Sequence, residues 1–399
     1  MEKGLGNKMK PKIYYLTRSY SPYQKGGGPL MRTGAVKYLE ECGWDVTVIL
    51  PTYTSTEYIV ERNIIQIPFK KKYIQKFTSI LERAGVYEDY LDKWIENSFE
   101  YLKDRIKKED IVFSTSGGEL GMIKLGSLLK NELECNFVIN FRDPLNYGYM
   151  NGLRRDKKFH IGRVKAHEKY MSNADLILTS SQYYADVLGQ RFSTLTPKIK
   201  NNYFGYIQPL EIEKFEKKIS KKLKIAYVGT MGSTQSPELL YEAWKMLDDK
   251  DIEIYFIGDI KGYKPLEMIG EEDGVYFIDF MPHDEFLAFM SENIDVGFVS
   301  LVSDYFGACV PSKIYEYINL GLPMIGALPV GDGKEIINGK GYGVACLYND
   351  VECLIKSIKM MQNKEYLEKR RDMILEDRDS WAMKNTILEV DKYLKGLIS

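Results

Sequence analysis

Short runs of β-branched and aromatic residues alternate with longer amphipathic stretches along nearly the whole chain, and they do so in two successive series. In the first half the strand-like runs are 12–17 (KIYYLT), 45–51, 64–69, 110–115, 136–141 and 174–181. The second half has 224–230 (KIAYVGT), 252–258, 274–280, 294–300, 323–328 and 342–347. Several are near-continuous apolar segments, the pattern of strands covered on both faces. Helical stretches such as Glu238–Leu247 and Lys313–Asn319 separate them. Alternation of this kind builds parallel sheets flanked by helices. With 399 residues, more than one compact core usually holds, two α/β domains are expected. The boundary falls near residue 205, where the charged stretch 211–222 (EIEKFEKKISKK) reads as a linker.

The formal net charge of −1 conceals an asymmetry. Residues 1–205 carry 32 Lys+Arg against 23 Asp+Glu, whereas 206–399 carry 23 against 33, giving +9 and −10. The overall balance argues against a general nucleic-acid binder. The positive half suits either a lipid diphosphate at a bilayer surface or an ordinary solvated surface. No run of about 18 apolar residues occurs, so no membrane-spanning helix is expected. The first ten residues lack the apolar core of a secretory signal and read as a flexible leader. Cys42, Cys135, Cys309, Cys346 and Cys353 show no CxxC spacing, which fits reduced core thiols and a cytoplasmic placement. With three histidines in the chain, a His-rich metal centre is not expected.

The segment richest in chemistry is VPSKIYEYINLGLPMIGA, residues 310–327. Pro311 suits the first turn of a helix, where its missing N–H costs nothing. Gly321 and Pro323 mark the stop. Amides at Ser312 and Lys313 then point out of the helix start, and such amides bind phosphate, aided by the positive end of the helix dipole. Lys313 adds a full charge. Glu316, one turn on, can accept hydrogen bonds from ribose hydroxyls. A capped helix with a surface lysine and glutamate accounts for the same residues without a ligand. The preceding strand, however, places this helix start at the carboxyl edge of a sheet, where open α/β folds bind ligands.

Residues 311–317 (PSKIYEY) followed by 320–323 (LGLP) resemble the donor-site signature of family 4 glycosyltransferases. The resemblance implies an α/β, GT-B architecture: two Rossmann-like domains facing each other across a cleft, 11–205 for the acceptor and 206–379 for a nucleotide-sugar donor. A last helix, 380–399, returns to the first domain. It implies further that Glu316 grips the ribose while Lys313 and the Ser312 and Lys313 amides hold the diphosphate. Residues 227–240 (YVGTMGSTQSPELL) are similar to the first donor-domain strand, loop and helix, where Gly229, Gly232 and Ser233 approach the donor phosphates. Residues 277–286 (FIDFMPHDEF), with Met281, are similar to the loop that meets the base. Residues 140–148 and 167–181 resemble acceptor-domain segments. Three departures stand out, the first being that Thr230, Met231 and Ser233 stand where an Arg and a Lys often follow the first donor-domain strand. Many members carry a second glutamate eight positions before the one matched by Glu316, where this chain has Ala308. The familiar acceptor-domain histidine has no match in 114–120.

Gly26, Gly27 and Gly28, in the loop after the first strand, permit close backbone approach to a phosphate or acceptor, or form a simple flexible turn. The second strand ends Leu50-Pro51-Thr52 without an acidic residue, so a dinucleotide fingerprint is disfavoured. Arg142 and Asp143 stand just past a buried strand, where a carboxylate can orient an acceptor hydroxyl or take its proton. Glu119, beside the Gly117-Gly118 turn, is a second candidate. A local Arg–Asp pair and a solvated glutamate are the plain alternatives. Residues 70–106 combine Lys70, Lys71, Lys72 and Lys76 with a stripe of Leu91, Ile95, Phe99, Leu102 and Ile106, together with Tyr87, Tyr90 and Trp94. That stripe suits a membrane interface or core packing.

The resemblance thus implies a retaining, metal-independent glycosyltransferase. It moves sugar from a nucleoside diphosphate to a glycan or polyprenyl-linked glycan hydroxyl in surface polysaccharide synthesis, with no cofactor beyond the sugar nucleotide. Asp143, Glu119 and Lys313 are its candidate catalytic residues. A sugar-nucleotide 2-epimerase and a non-catalytic polysaccharide-assembly partner are the competing readings.

Overall fold

The computed structural model describes residues 11–398 apart from Lys25, Tyr53, 70–76, 78–79, Arg83, 146–156 and 216–219. The leader, the four lysines at 70, 71, 72 and 76, and part of the 140–148 and 211–222 segments lie outside the described residues. The chain divides into two compact units, 1–202 with 387–399, and 203–386.

Unit 1 contains β1 (Lys12–Leu16), α1 (Gly27–Glu41), β2 (Asp45–Thr52), β3 (Ile59–Glu61), β4 (Ile64–Pro68), α2 (Asp92–Leu102) and β5 (Ile111–Ser116). It continues with α3 (Gly121–Leu133), β6 (Asn136–Phe141), α4 (Lys157–Met171), β7 (Leu176–Thr179), α5 (Gln182–Arg191) and β8 (Ile199–Asn201). The sheet order is β3-β4-β2-β1-β5-β6-β7-β8. Every pairing is parallel except β3 with β4. The central strand β5 is buried along its whole length, as its uniformly apolar and small residues require. Leu91, Trp94, Ile95, Leu102 and Ile106 are buried too, and Trp94 Nε1 donates to the Ile67 carbonyl at 3.1 Å. The apolar stripe is therefore core packing.

Unit 2 contains β9 (Leu223–Val228), α6 (Glu238–Leu247), β10 (Ile252–Ile257), α7 (Lys264–Glu267), β11 (Val275–Ile278), α8 (His283–Asn293) and β12 (Val296–Ser300). Then follow α9 (Ser312–Asn319), β13 (Met324–Leu328), α10 (Asp332–Gly339), β14 (Gly343–Leu347), α11 (Val351–Met361) and α12 (Lys364–Asp377). Its six strands are all parallel, in the order β11-β10-β9-β12-β13-β14. The reversal of strand order between β9 and β12 opens a crevice at their carboxyl ends, where such sheets take ligands. Both units are Rossmann-like bodies.

The last helix, α13 (Met383–Ile398), changes unit within its own length, at 386/387 rather than before it begins. Backbone bonding explains this. Tyr206 N donates to Trp381 O at 3.0 Å and Met383 N to Tyr206 O at 2.8 Å. The Thr386 hydroxyl donates to Phe204 O at 3.0 Å. These bonds tie 381–386 to the opening segment of unit 2. Further along the helix, Asp391 accepts from Trp44 Nε1 at 2.8 Å within unit 1.

The expectation of five reduced thiols is corrected by Cys346 and Cys353, which form a disulfide joining the end of β14 to the start of α11. Cys42, Cys135 and Cys309 are free. The missing signal is tertiary: seven residues apart in sequence, the two cysteines face each other only because α11 folds back across β14. Among the described residues no helix is long and apolar enough to cross a membrane.

Candidate functional site

In unit 2 the candidate residues converge at the start of α9. Tyr317 sets this helix in place. Its hydroxyl donates to the carbonyls of Ala226 and Phe298, 3.2 Å away in each case, on β9 and β12. Its ring lies flat where Gly297 has no side chain, since a Cβ there would stand 2.5 Å from it. Pro311 occupies the N-cap position rather than the first turn, with no side chain capping the helix. Gly321 ends the helix with φ 63°, the left-handed stop anticipated from the sequence. The Ile314 amide donates to Pro311 O at 3.0 Å. The amides of Ser312 and Lys313 precede any possible intrahelical acceptor.

Lys313 is half-buried and reaches back over β9. Its Nζ sits 4.8 Å from the centroid of the Tyr227 ring. Gly229 lies beside it: a Cβ on that residue would be 3.4 Å from Lys313 Cε and 3.7 Å from Nζ. With φ at 98°, Gly229 turns the chain out of β9 in a conformation other residues resist. Among the described residues no carboxylate pairs with Lys313. Burial pulls its ammonium down from 10.5 to about 8. Among the described residues, a ring face is what offsets the desolvation cost of this ammonium.

Glu316, one turn on, is half-buried with an Oε2 that has no hydrogen-bond partner. Burial raises its carboxyl above the ordinary range, and the nearby His283 opposes that rise. His283 begins α8, two residues past Met281, so the 277–286 loop and Glu316 meet at the same edge. Gly232 and Ser233 stand in the loop between β9 and α6, Ser233 exposed. Ser236 N bonds Ser300 Oγ at 3.0 Å, and Val302 N bonds Thr234 O at 3.1 Å, fixing that loop against the end of β12. Ala308 is buried just before the helix. The sequence reading did not foresee Tyr227 or His283; each touches the site through a fold-level approach that motif spacing does not encode.

Unit 1 gathers a second group at the carboxyl ends of β1, β5 and β6. Glu119 is buried, not solvated, and one carboxylate oxygen accepts from the Gly117 amide at 2.7 Å. Its other oxygen pairs with Arg18 Nε at 3.3 Å. A Cβ on Gly117 would lie 3.2 Å from Glu119 Oε2, 3.3 Å from Asp143 Oδ2 and 3.7 Å from Arg18 Nη2, which places these three groups around one backbone point. Burial raises the Asp143 carboxyl; Glu119 adds to the rise, while Arg142, Arg32 and Arg18 oppose it. Arg142 is pulled down to about 10 by burial, with Arg32 as the next cause. Gly27 and Gly28 lie in the first turn of α1 rather than in an open loop. Gly26, at φ 114°, makes the turn that precedes them. Arg142 Nη1 donates to Gly28 O at 3.3 Å. Arg18 and Arg32 escaped the sequence reading because a lone arginine after a strand or inside a helix carries no motif. Among the described residues no cluster of three or more His, Cys, Asp or Glu is arranged to hold a metal ion.

The two Rossmann-like units have the fold of GT-B glycosyltransferases. Residues 210–379, which hold the whole Lys313–Glu316 site, match the glycosyl transferases group 1 family model. Trehalose-6-phosphate synthase OtsA from E. coli bound with UDP-2-fluoro glucose superposes with a TM-score of 0.67 at 12% identity, covering 96% of this chain and 99% of that one. Anabaena Alr3699/HepE in complex with UDP-glucose gives 0.64 at 12% identity, with coverage of 96% and 99%. The lipopolysaccharide outer core galactosyltransferase WaaB gives 0.65 at 14% identity, with 97% and 99%. At such identities the likeness establishes the fold. No curated protein matches the sequence.

Proposed function

We propose that this protein is a family 4-like glycosyltransferase. It transfers a glycosyl group, with retention, from a nucleoside diphosphate sugar to a hydroxyl of a glycan or lipid-linked glycan in surface polysaccharide synthesis. The observation that carries this reading is Lys313: a half-buried ammonium without a carboxylate partner, at a helix start and against a glycine that leaves room beside it. A diphosphate suits such a site. Glu316, with an unpartnered carboxylate oxygen one helical turn away, suits the ribose hydroxyls of the same molecule. The relatives in complex with UDP-glucose and UDP-2-fluoro glucose support a sugar nucleotide as the donor.

In this scheme the bond between the anomeric carbon and the diphosphate oxygen breaks with its electron pair on the phosphate. Lys313 and the amides of Ser312 and Lys313 stabilise the charge that develops there, with no metal ion in the scheme. The incoming hydroxyl oxygen bonds to the anomeric carbon on the same face and gives its proton to the departing phosphate oxygen. Asp143 and Glu119 are assigned to orienting the acceptor, and Gly27, Gly28 and Arg142 to lining its site. Gly229, Gly232 and Ser233 adjoin the phosphates, and the Met281 loop adjoins the base. Peripheral attachment of unit 1 to the inner face of a membrane belongs to the same reading.

Calorimetric titration with a panel of nucleoside diphosphates tests it. Lys313→Ala and Glu316→Ala should each reduce the affinity of the bound nucleotide at least about tenfold, the loss of one charge-assisted contact. Far-UV circular dichroism should stay unchanged. Full affinity in both variants would reject the donor site.

A further inference from the structure

One buried tyrosine in unit 2 touches both the lysine at the start of α9 and the turn that leaves β9. Tyr227 stands near the end of β9 and is fully buried. Its ring face lies under the Lys313 ammonium, with Nζ 4.8 Å from the centroid. Its hydroxyl donates to the Thr230 carbonyl at 3.3 Å, in the turn after the strand. The ring is braced from the side as well: Phe298 of β12 packs against it with 6.4 Å between centroids. The Tyr317 hydroxyl donates to the carbonyl of the preceding residue, Ala226, so α9 and this end of β9 are tied together. Gly229, two residues on, brings bare backbone up to the Lys313 stem. Lysine carries its charge on a flexible four-carbon stem, and ordering such a stem on binding costs affinity. A ring already beneath the ammonium removes part of that cost in advance, because its quadrupole attracts the cation.

We propose that Tyr227 is a positioning residue for the donor diphosphate: its ring face holds the Lys313 ammonium at the start of α9, ready for the phosphates. The proposal deepens the nucleotide site and rests on that reading. Tyr227 does not touch the ligand in this scheme; it acts through the lysine. An aliphatic side chain could fill much of the same core volume. It has no π face to draw the ammonium, however, and leaves the stem free to sample other rotamers. Phenylalanine keeps the face. The hydroxyl serves the ring: its bond to Thr230 O fixes the tilt at the strand end and satisfies a buried polar group. Ring and hydroxyl therefore have separate tasks, and substitution can separate them.

Titration calorimetry on the full chain with UDP, GDP, ADP and dTDP finds the nucleotide bound most tightly, and the variants are titrated with that one. Tyr227→Leu should weaken it about fivefold or more, the worth of one cation–π contact at a half-buried site. Tyr227→Phe should recover the affinity to within about twofold of wild type. If far-UV circular dichroism shows that the leucine variant does not fold, Tyr227→Met, flexible and without a ring, takes its place. In a Lys313→Met background, Tyr227→Leu should cause no further loss, because the ring then has no ammonium to hold. The proposal is overturned if Tyr227→Leu binds as the wild type does, or if Tyr227→Phe loses as much as Tyr227→Leu. It is overturned equally if Tyr227→Leu costs the same factor with and without the lysine. Each of those results leaves the donor site standing, provided that Lys313→Met alone binds more weakly. Wild-type affinity in Lys313→Met, or no binding of any of the four nucleotides, overturns the donor reading and the positioning role with it.

Discussion

Replacing Lys313 by methionine should stabilise the unliganded protein and weaken its response to nucleotide, two effects of opposite benefit from one substitution. Methionine keeps the length and the apolar stem over Tyr227 while removing the charge. A displacement of the ammonium from 10.5 to about 8 corresponds to roughly 3 kcal/mol between its charged and neutral forms. Solvent reaching this half-buried side chain screens part of that, so about 1–2 kcal/mol of stabilisation is expected below pH 8. For a domain of this size that is a rise in Tm of roughly 2–8 °C. The sign against pH follows from proton binding. Between pH 8 and 10.5 the unfolded lysine holds its proton while the folded one releases it, so wild-type stability climbs with pH across that window. The gap between variant and wild type should be constant below pH 8 and close towards pH 10.5. Differential scanning fluorimetry from pH 6.5 to 10, with and without nucleoside diphosphate, reads all of this. Wild type should gain about 2.7 kcal/mol at a ligand concentration 100 times its Kd, and a variant bound tenfold more weakly about 1.4 kcal/mol or less. A variant less stable than wild type at pH 7, or one that keeps the full ligand shift, would refute the reasoning.

Gly229→Ala should cost about 1 kcal/mol or more, because alanine resists the positive φ that turns the chain out of β9. Its methyl would fill the space at van der Waals distance from Lys313 Cε and weaken nucleotide binding, so a variant with wild-type urea midpoint and affinity would contradict the reading of this edge. Thiol titration in denaturant should find three reactive cysteines before reduction, Cys42, Cys135 and Cys309, and five afterwards. Five before reduction would exclude the bond between Cys346 and Cys353.

Strand positions were legible because strands covered on both faces admit little but apolar residues. The runs at 12–17, 45–51, 136–141 and 252–258 coincide with β1, β2, β6 and β10 to within about a residue at either end. β3 was not legible. It is three residues long, antiparallel at the sheet edge, and has one half-buried and two exposed positions, so neither face imposes a pattern. The glycine run at 26–28 reads as a loop from the sequence, and two of its members instead start α1. Glycine marks a chain turn strongly but says little about the residue at which a helix begins.

The two candidate sites differed in legibility for a physical reason. Lys313, Glu316 and the helix start lie within one short stretch, so their mutual geometry is that of a helix turn and follows from sequence spacing alone. What spacing could not supply is the fate of the lysine: only the fold shows Tyr227 beneath it and Gly229 beside it, with no carboxylate among the described residues paired to it. The unit 1 group is assembled the other way. Arg18 comes from the end of β1, Arg32 from the middle of α1, Glu119 from the turn after β5 and Arg142 and Asp143 from the end of β6. Parallel strand order brings these carboxyl ends together although more than a hundred residues separate the first from the last. Each arginine looks like a surface residue until the sheet is built. Once it is built, the burial of Arg32 requires an explanation, because an almost fully enclosed guanidinium with an unpartnered nitrogen is costly in a chain that could have placed a leucine there. Glu119 lies against Arg18 and acts on Arg32, while Asp143 stands beside Arg142, so the two carboxylates offset part of that cost.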